Sequence, residues 1–239
     1  MFYFLLPALA SYNFVLILAA VVPAALLMIK AYRSDRLEKE PTGLLWQLAK
    51  AGVLSSLIAL VAERVLCWLL DLALPQELAL YNVILYFGIV AFSEEGAKYF
   101  MLKRSTWRTP AFNCQYDGVV YAVFVSLGFA LWENISYVMA YGVSTAIVRA
   151  VTAIPGHACF GVFMGVFYGA AKKHDNRKNQ SASKAFRVLS VLIPAIGHGA
   201  YDYIASVEQS TWYFVIFIAV LFAVSYYLVH RTARRDQYI

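Results

Sequence analysis

DGVVYAVFVSLGFALWENISYVMA, Asp117 to Ala140, decides the fold class. At 1.5 Å per residue the run is long enough to cross a hydrocarbon core about 30 Å thick as a helix. One carboxylate interrupts it. Glu133 lies roughly 24 Å along such a helix from Asp117, so no ordinary loop accounts for it. A carboxylate at that depth costs about 3 kcal/mol on insertion scales, and chains keep such groups for chemistry or transport.

The rest of the chain repeats the pattern. Hydrophobic residues make up 62% of the sequence and charged residues 14%, with a mean hydropathy of +0.63, far from the average of soluble domains. Seven apolar runs are predicted to cross the membrane, at about 8–29, 44–70, 78–101, 117–140, 144–171, 187–206 and 211–230. Continuous runs, not short segments of alternating polarity, exclude an outer-membrane barrel. The reading is therefore an all-α polytopic helical bundle forming one domain over residues 1–239. The first run has no basic residue before Lys30 and no small-residue cleavage site, so it is read as a retained helix and not a signal peptide.

Orientation follows from lysine and arginine. The segments Lys30 to Lys39, Lys103 to Arg108, Lys172 to Arg187 and Arg231 to Arg235 are basic, whereas the loops at Asp71 to Glu77, Tyr141 to Ser144 and Val207 to Ser210 hold neither residue. Seven spans with the amino terminus outside and the carboxyl terminus cytoplasmic satisfy this distribution. The net charge of +6 then reflects loops facing an anionic leaflet, with the lipid bilayer as partner and no nucleic acid. Cys67, Cys114 and Cys159 form no CxxC pair, which argues against a disulfide framework or zinc finger; Cys159, two residues past His157, is expected on the opposite helix face. KKHDNRKNQSASK, Lys172 to Lys184, reads as a solvated connector, with His174 part of its polar surface.

Five further polar residues join Glu133 inside the apolar runs. In FSEEGAK, Glu94 and Lys98 are four apart and share a helix face, while Glu95 is turned about 100° away; the spacing predicts one salt-bridged carboxylate and one free to face a neighbour. His157 follows Pro155 in PGHACFGVFMG, where the proline is expected to free a backbone carbonyl or bend the helix. Gly161, Gly165 and Gly169 recur every four residues, a face suited to close helix approach. His198 and Asp202, in GHGAYD, share a face, so the carboxylate can orient the imidazole. Adjacent carboxylates in low dielectric supply a proton donor and acceptor for general acid–base work. Two histidines with several carboxylates also suit zinc, with one glutamate left as general base. The same residue types serve as proton relays in a proton- or cation-coupled transporter. A non-enzymatic scaffold or sensor is the third class. No GxSG, GxGD or HExxH motif is present.

The ordered set Glu94, Glu95 and Lys98 (EExxK), Asp117, Gly118 and Tyr121 (DGxxY), Gly128, Phe129, Glu133 and Asn134 (GFxxxEN), His157, and His198 with Asp202 (HxxxD) resembles the PrsW family of intramembrane proteases, relatives of the type II CAAX prenyl endopeptidases. DRLEKEP, Asp35 to Pro41, and Glu63 resemble the amino-terminal part of that family, so the likeness covers about residues 30–205. It implies a transmembrane protease domain whose motif-bearing core is about 44–206, with accessory helices at 1–43 and 207–239. It also implies a place in the bacterial cytoplasmic membrane and a membrane-anchored protein substrate such as an anti-sigma factor. By position, Glu94 matches the glutamate thought to activate water and Glu95 its partner. His198 and Asp202 match the pair expected to steady the water or the oxyanion. Glu133 stands where the prenyl endopeptidases have a histidine, and His157 completes the catalytic set, with Lys98 and Asn134 in support. No cofactor-binding residue is expected. Metal dependence stays open: a glutamate-type enzyme needs none, while zinc would draw its ligands from Glu94, Glu95, Glu133, His157, His198 and Asp202.

Overall fold

The computed structural model describes residues 2–207 and 210–239; Glu208 and Gln209, in the loop before the last span, lie outside the described residues. Helices follow the apolar runs: α1 (Phe2–Ser34), α2 (Thr42–Ala73), α3 (Ala79–Val83), α4 (Ala91–Thr106), α5 (Asp117–Tyr141), α6 (Val143–Val151), α7 (Ala153–Asn176), α8 (Gln180–Ser206) and α9 (Thr211–Arg234). A wider π-helical stretch, Ile84–Val90, joins α3 to α4 without leaving helical backbone angles, so these three pieces make one rod. Among the described residues there is no sheet, only an isolated bridge between Cys114 and Tyr238.

Seven rods are therefore present among the described residues. Six are long and apolar enough to span a membrane by length and composition alone. The seventh, Ala79 to Thr106, carries Glu94, Glu95 and Lys98. The expected run at 144–171 is one span but two helices, because Thr152 leaves helical geometry at φ −120° and ψ −73°. Pro155 accordingly neither bends a helix nor frees a mid-helix carbonyl: it falls in the first turn of α7, where its missing N–H has no intrahelical acceptor to lose.

Packing is organised around α5. Its most apolar stretch is 78% buried by protein, against 11% for α9, so α5 is the pillar and α9 faces lipid. Glycines allow that enclosure. A Cβ on Gly52 of α2 would strike the Val125 carbonyl of α5, and one on Gly128 of α5 would strike the Ala49 carbonyl of α2. Across the other face, Gly161, Gly165 and Gly169 of α7 lie against Val123, Val119 and Gln115, as their spacing predicts.

The four basic segments gather at one end of the bundle. The Asn113 side chain donates to Glu38, Lys172 reaches the Trp107 carbonyl, Arg187 lies over the Trp107 ring, and the tail pairs through Gln115 N–H to the Gln237 carbonyl and Ile239 N–H to the Asn113 carbonyl. Beneath them Phe112 stacks on Tyr168, with centroids 5.2 Å apart, in the largest apolar cluster. Cys159 packs with Phe160 and Leu221, on the face away from the polar centre.

Candidate active site

The polar residues from α4, α5, α7 and α8 converge. Lys98 is the hub: its fully buried ammonium donates to Glu95 Oε1 at 2.7 Å, Glu94 Oε2 at 3.1 Å and His157 Nδ1 at 3.2 Å, and sits 3.9 Å from the centre of the Phe129 ring. An ammonium has three donors and no acceptor, so all three are used and His157 Nδ1 must accept. His157 is then the Nε2–H tautomer, and that nitrogen donates to Glu133 Oε2 at 2.8 Å. Arg149 of α6 closes the chain, its Nη2 lying 3.0 Å from the same Glu133 oxygen.

His198 forms the second branch. Its Nδ1 lies 3.0 Å from Glu95 Oε1 and 3.7 Å from Glu94 Oε2, and its Nε2 lies 3.4 Å from Asp202 Oδ2. Carboxylates face both ring nitrogens, an arrangement that accommodates a doubly protonated imidazole. The ring stacks on Phe160 at 4.9 Å and meets the His157 ring edge to face at 5.4 Å. Gly199 lets this part of α8 approach the π-helical stretch, since a Cβ there would lie 2.6 Å from Phe87. Wide-turn helix segments are concentrated at functional sites, and here the widening seats α8 against the rod that bears Glu94 and Glu95.

A cavity of about 630 Å³ opens onto this cluster, lined by residues including Glu63, Glu94, Glu133, His198 and Asp202. Its rim residues Trp132, Ser136 and Ser206 are exposed, so it communicates with the surface. Glu94 is thus the member of the pair that faces the opening, while Glu95 is enclosed, holding Lys98 and His198. Glu94 lies about 18 Å along α4 from the basic end, and Glu133 about 12 Å from the opposite end of α5.

All six predicted site residues are brought together. Two readings change. Glu95 is not free to face another helix alone: it makes the shorter bond to Lys98, because a long flexible side chain reaches both the i−3 and i−4 carboxylates. Asn134 stands off the cavity and supports indirectly, accepting from Arg149 Nε at 2.9 Å and donating to the Ala20 carbonyl. Arg149 is the residue that sequence reasoning passed over. Its signal was available: a lone arginine inside an apolar run needs a buried acid.

A family model described as "PrsW family intramembrane metalloprotease" matches residues 40–229. The chain belongs to the PrsW family. It is 31% identical to Protease PrsW of Oceanobacillus iheyensis over 89% of this chain and 94% of that one, and 33% identical to Protease PrsW of Geobacillus kaustophilus over 84% of each. Protease PrsW of Bacillus subtilis is 31% identical over 85% of this chain and 88% of its own. No solved structure matches. The PrsW match extends past residue 206 into α9, beyond the segment whose motifs carried the resemblance. As a PrsW family member with membrane-spanning helices, the chain is an integral membrane protease.

The metal named in the family description meets a specific obstacle. Glu94, Glu95 and His157 offer donor atoms within 4.8 Å of one another, two carboxylates and an imidazole that suit zinc in kind. The Lys98 ammonium occupies their common centre, bonded to all three. A dication and this ammonium do not fit there together, so a metal on these ligands requires Lys98 to withdraw.

Proposed function

We propose that the chain hydrolyses a peptide bond of a membrane-anchored, anti-sigma-factor-like protein with water activated by Glu94. The observation that carries this reading is that Glu94 faces the cavity while sharing the Lys98 ammonium with the enclosed Glu95. Water in the cavity gives a proton to Glu94 as its oxygen attacks the substrate carbonyl carbon. The developing oxyanion is met by His198, whose Nδ1–H is anchored on Glu95 and whose Nε2 faces the cavity beside Asp202. Glu94 then passes the proton to the leaving nitrogen as the C–N bond breaks, and both carboxylates return to their starting charge.

Lys98 serves as the resident cation of this mechanism. It bonds to both Glu94 and Glu95, and through His157 it couples the pair to Glu133 and Arg149. An extended substrate segment entering at Trp132 and Ser206 would find backbone partners among the polar cavity residues, as unwound backbone in a membrane requires. With the basic end in the cytoplasm, cleavage falls in the outer half of the bilayer.

Co-reconstitution with a single-pass anti-sigma-factor-like substrate tests the reading. Cleavage abolished by Glu94→Gln and unaffected by a chelator supports it. Cleavage abolished by the chelator, with stoichiometric metal in the active protein, replaces it with a metalloprotease on the same cluster.

A further inference from the structure

Two motifs that the active site does not use meet at the basic end. Asp35 and Glu40, from the linker between α1 and α2, come against Asp117 at the start of α5. Their exposures are 3%, 2% and 0%, and one oxygen from each lies within 4.8 Å of the other two. Some of their oxygens are bonded: Asp117 Oδ2 accepts from the Asn113 and Cys114 amides at 3.0 and 2.6 Å, and Glu40 Oε2 accepts from the Tyr121 hydroxyl at 2.5 Å. Both oxygens of Asp35, Oε1 of Glu40 and Oδ1 of Asp117 are buried with no hydrogen-bond partner.

No cationic side chain pairs with these three carboxylates among the described residues. The nearby Lys39 ammonium is spent on the backbone carbonyls of Tyr32, Arg33 and Asp35. Neighbouring acids do not help, since Glu38 holds the Asn113 amide and Asp236 the Tyr116 amide. Burial pushes the Asp35 carboxyl up to about 6 against the pull of Lys39, and pushes Glu40 up as well. The contrast with Glu94 and Glu95 is direct: there the Lys98 ammonium bonds to both carboxylates, and here, among the described residues, no side-chain cation does.

We propose that Asp35, Glu40 and Asp117 bind a hard divalent cation of the Mg²⁺ or Ca²⁺ class, which ties the α1–α2 linker to α5. An all-oxygen donor set selects such ions over zinc, and ligand oxygens at about 2.0–2.6 Å from one ion lie no more than about 5 Å apart. The site is structural, because Asp117 and Glu133 are about 24 Å apart along α5.

The test is thermal unfolding of the detergent-purified, EDTA-stripped full chain titrated with Mg²⁺ or Ca²⁺ alone, alongside bound-metal analysis. Wild type and Glu94→Gln should both gain roughly 5 °C at saturation with one ion bound. Asp35→Asn should lose the response and the ion, yet without added ions unfold no earlier than wild type, because its amide oxygen can still accept from the Leu37 backbone that faces Asp35. Should that variant fail to fold, Glu40→Gln, whose amide oxygen can still accept from Tyr121, takes its place. Indifference of wild type to both ions overturns the proposal, as does an undiminished response in Asp35→Asn. A response lost in Glu94→Gln instead places the ion at the active site and also overturns it. So does a protonated-carboxyl infrared band in wild type that is unchanged by either ion, which means shared protons neutralise the cluster.

Discussion

At the scale of single residues, the charge ledger of the active site makes sharp demands. Removing the ionisable group of Glu94 as Gln should lower proteolysis of a reconstituted substrate by about 10²–10⁴-fold, the range for a general base, with unfolding temperature little changed. Lys98→Met should be worse for stability: it strands Glu94 and Glu95 without their cation, a loss of about 3–5 kcal/mol for a broken buried pair. Thermal unfolding checks this, and adding Glu95→Gln to Lys98→Met should restore part of the folding but none of the activity. The six site residues were legible in the sequence because an ionisable group in an apolar run is conspicuous. The sharing of Lys98 was not, since residue spacing gives helix faces and not the reach of a four-carbon side chain. Arg149 was overlooked because it stands in no motif; its place in an apolar run signalled a buried acid, and α6 shows which one by setting it 3.0 Å from Glu133.

At the scale of elements, two glycines separate packing from catalysis. Gly165→Val would drive a side chain into the Gly118 carbonyl and Val119 Cα of α5, so the α5–α7 seam should open and the folded yield fall. Gly199→Ala places a methyl 2.6 Å from the Phe87 ring and 2.9 Å from its Cα, so a turn of the ring does not suffice and α8 must shift. Its effect should be a displaced His198 and a fall in kcat larger than the fall in stability, measured by turnover and unfolding on the same preparation. The small-residue face of α7 was readable from its four-residue recurrence. Neither the π-helical stretch at Ile84–Val90 nor the break at Thr152 was, because both depend on how α8 and α6 seat against their neighbours and not on a local proline or glycine signal.

At the scale of the whole molecule, the basic end should behave as a pH-sensitive clamp when no divalent ion is present. Asp35, faced by Lys39, Glu38, Glu40, Asp117 and Asp236, has a folded-state value of about 6 against an ordinary 3.8. The folded protein therefore binds more protons than the unfolded chain between those values, so stability contributed by Asp35 falls as pH rises from about 4 to about 6. Unfolding temperature across that range should show the decline in wild type and a shallower one in Asp35→Asn, where the raised Glu40 still contributes. The all-helical class, its seven rods among the described residues, and the gathering of basic segments at one end followed from composition. The convergence of Asp35, Glu40 and Asp117 did not, since no sequence pattern predicts how the α1–α2 linker folds back onto α5. The Glu133–Arg149 pair carries a consequence for biogenesis. During synthesis α5 emerges before α7 and α8, so Glu133 reaches the insertion machinery ahead of His157. Arg149 is only a short hairpin away, on the far side of Gly142. The two can leave the translocon as a neutralised pair, which spares the nascent α5 a lone carboxylate in lipid.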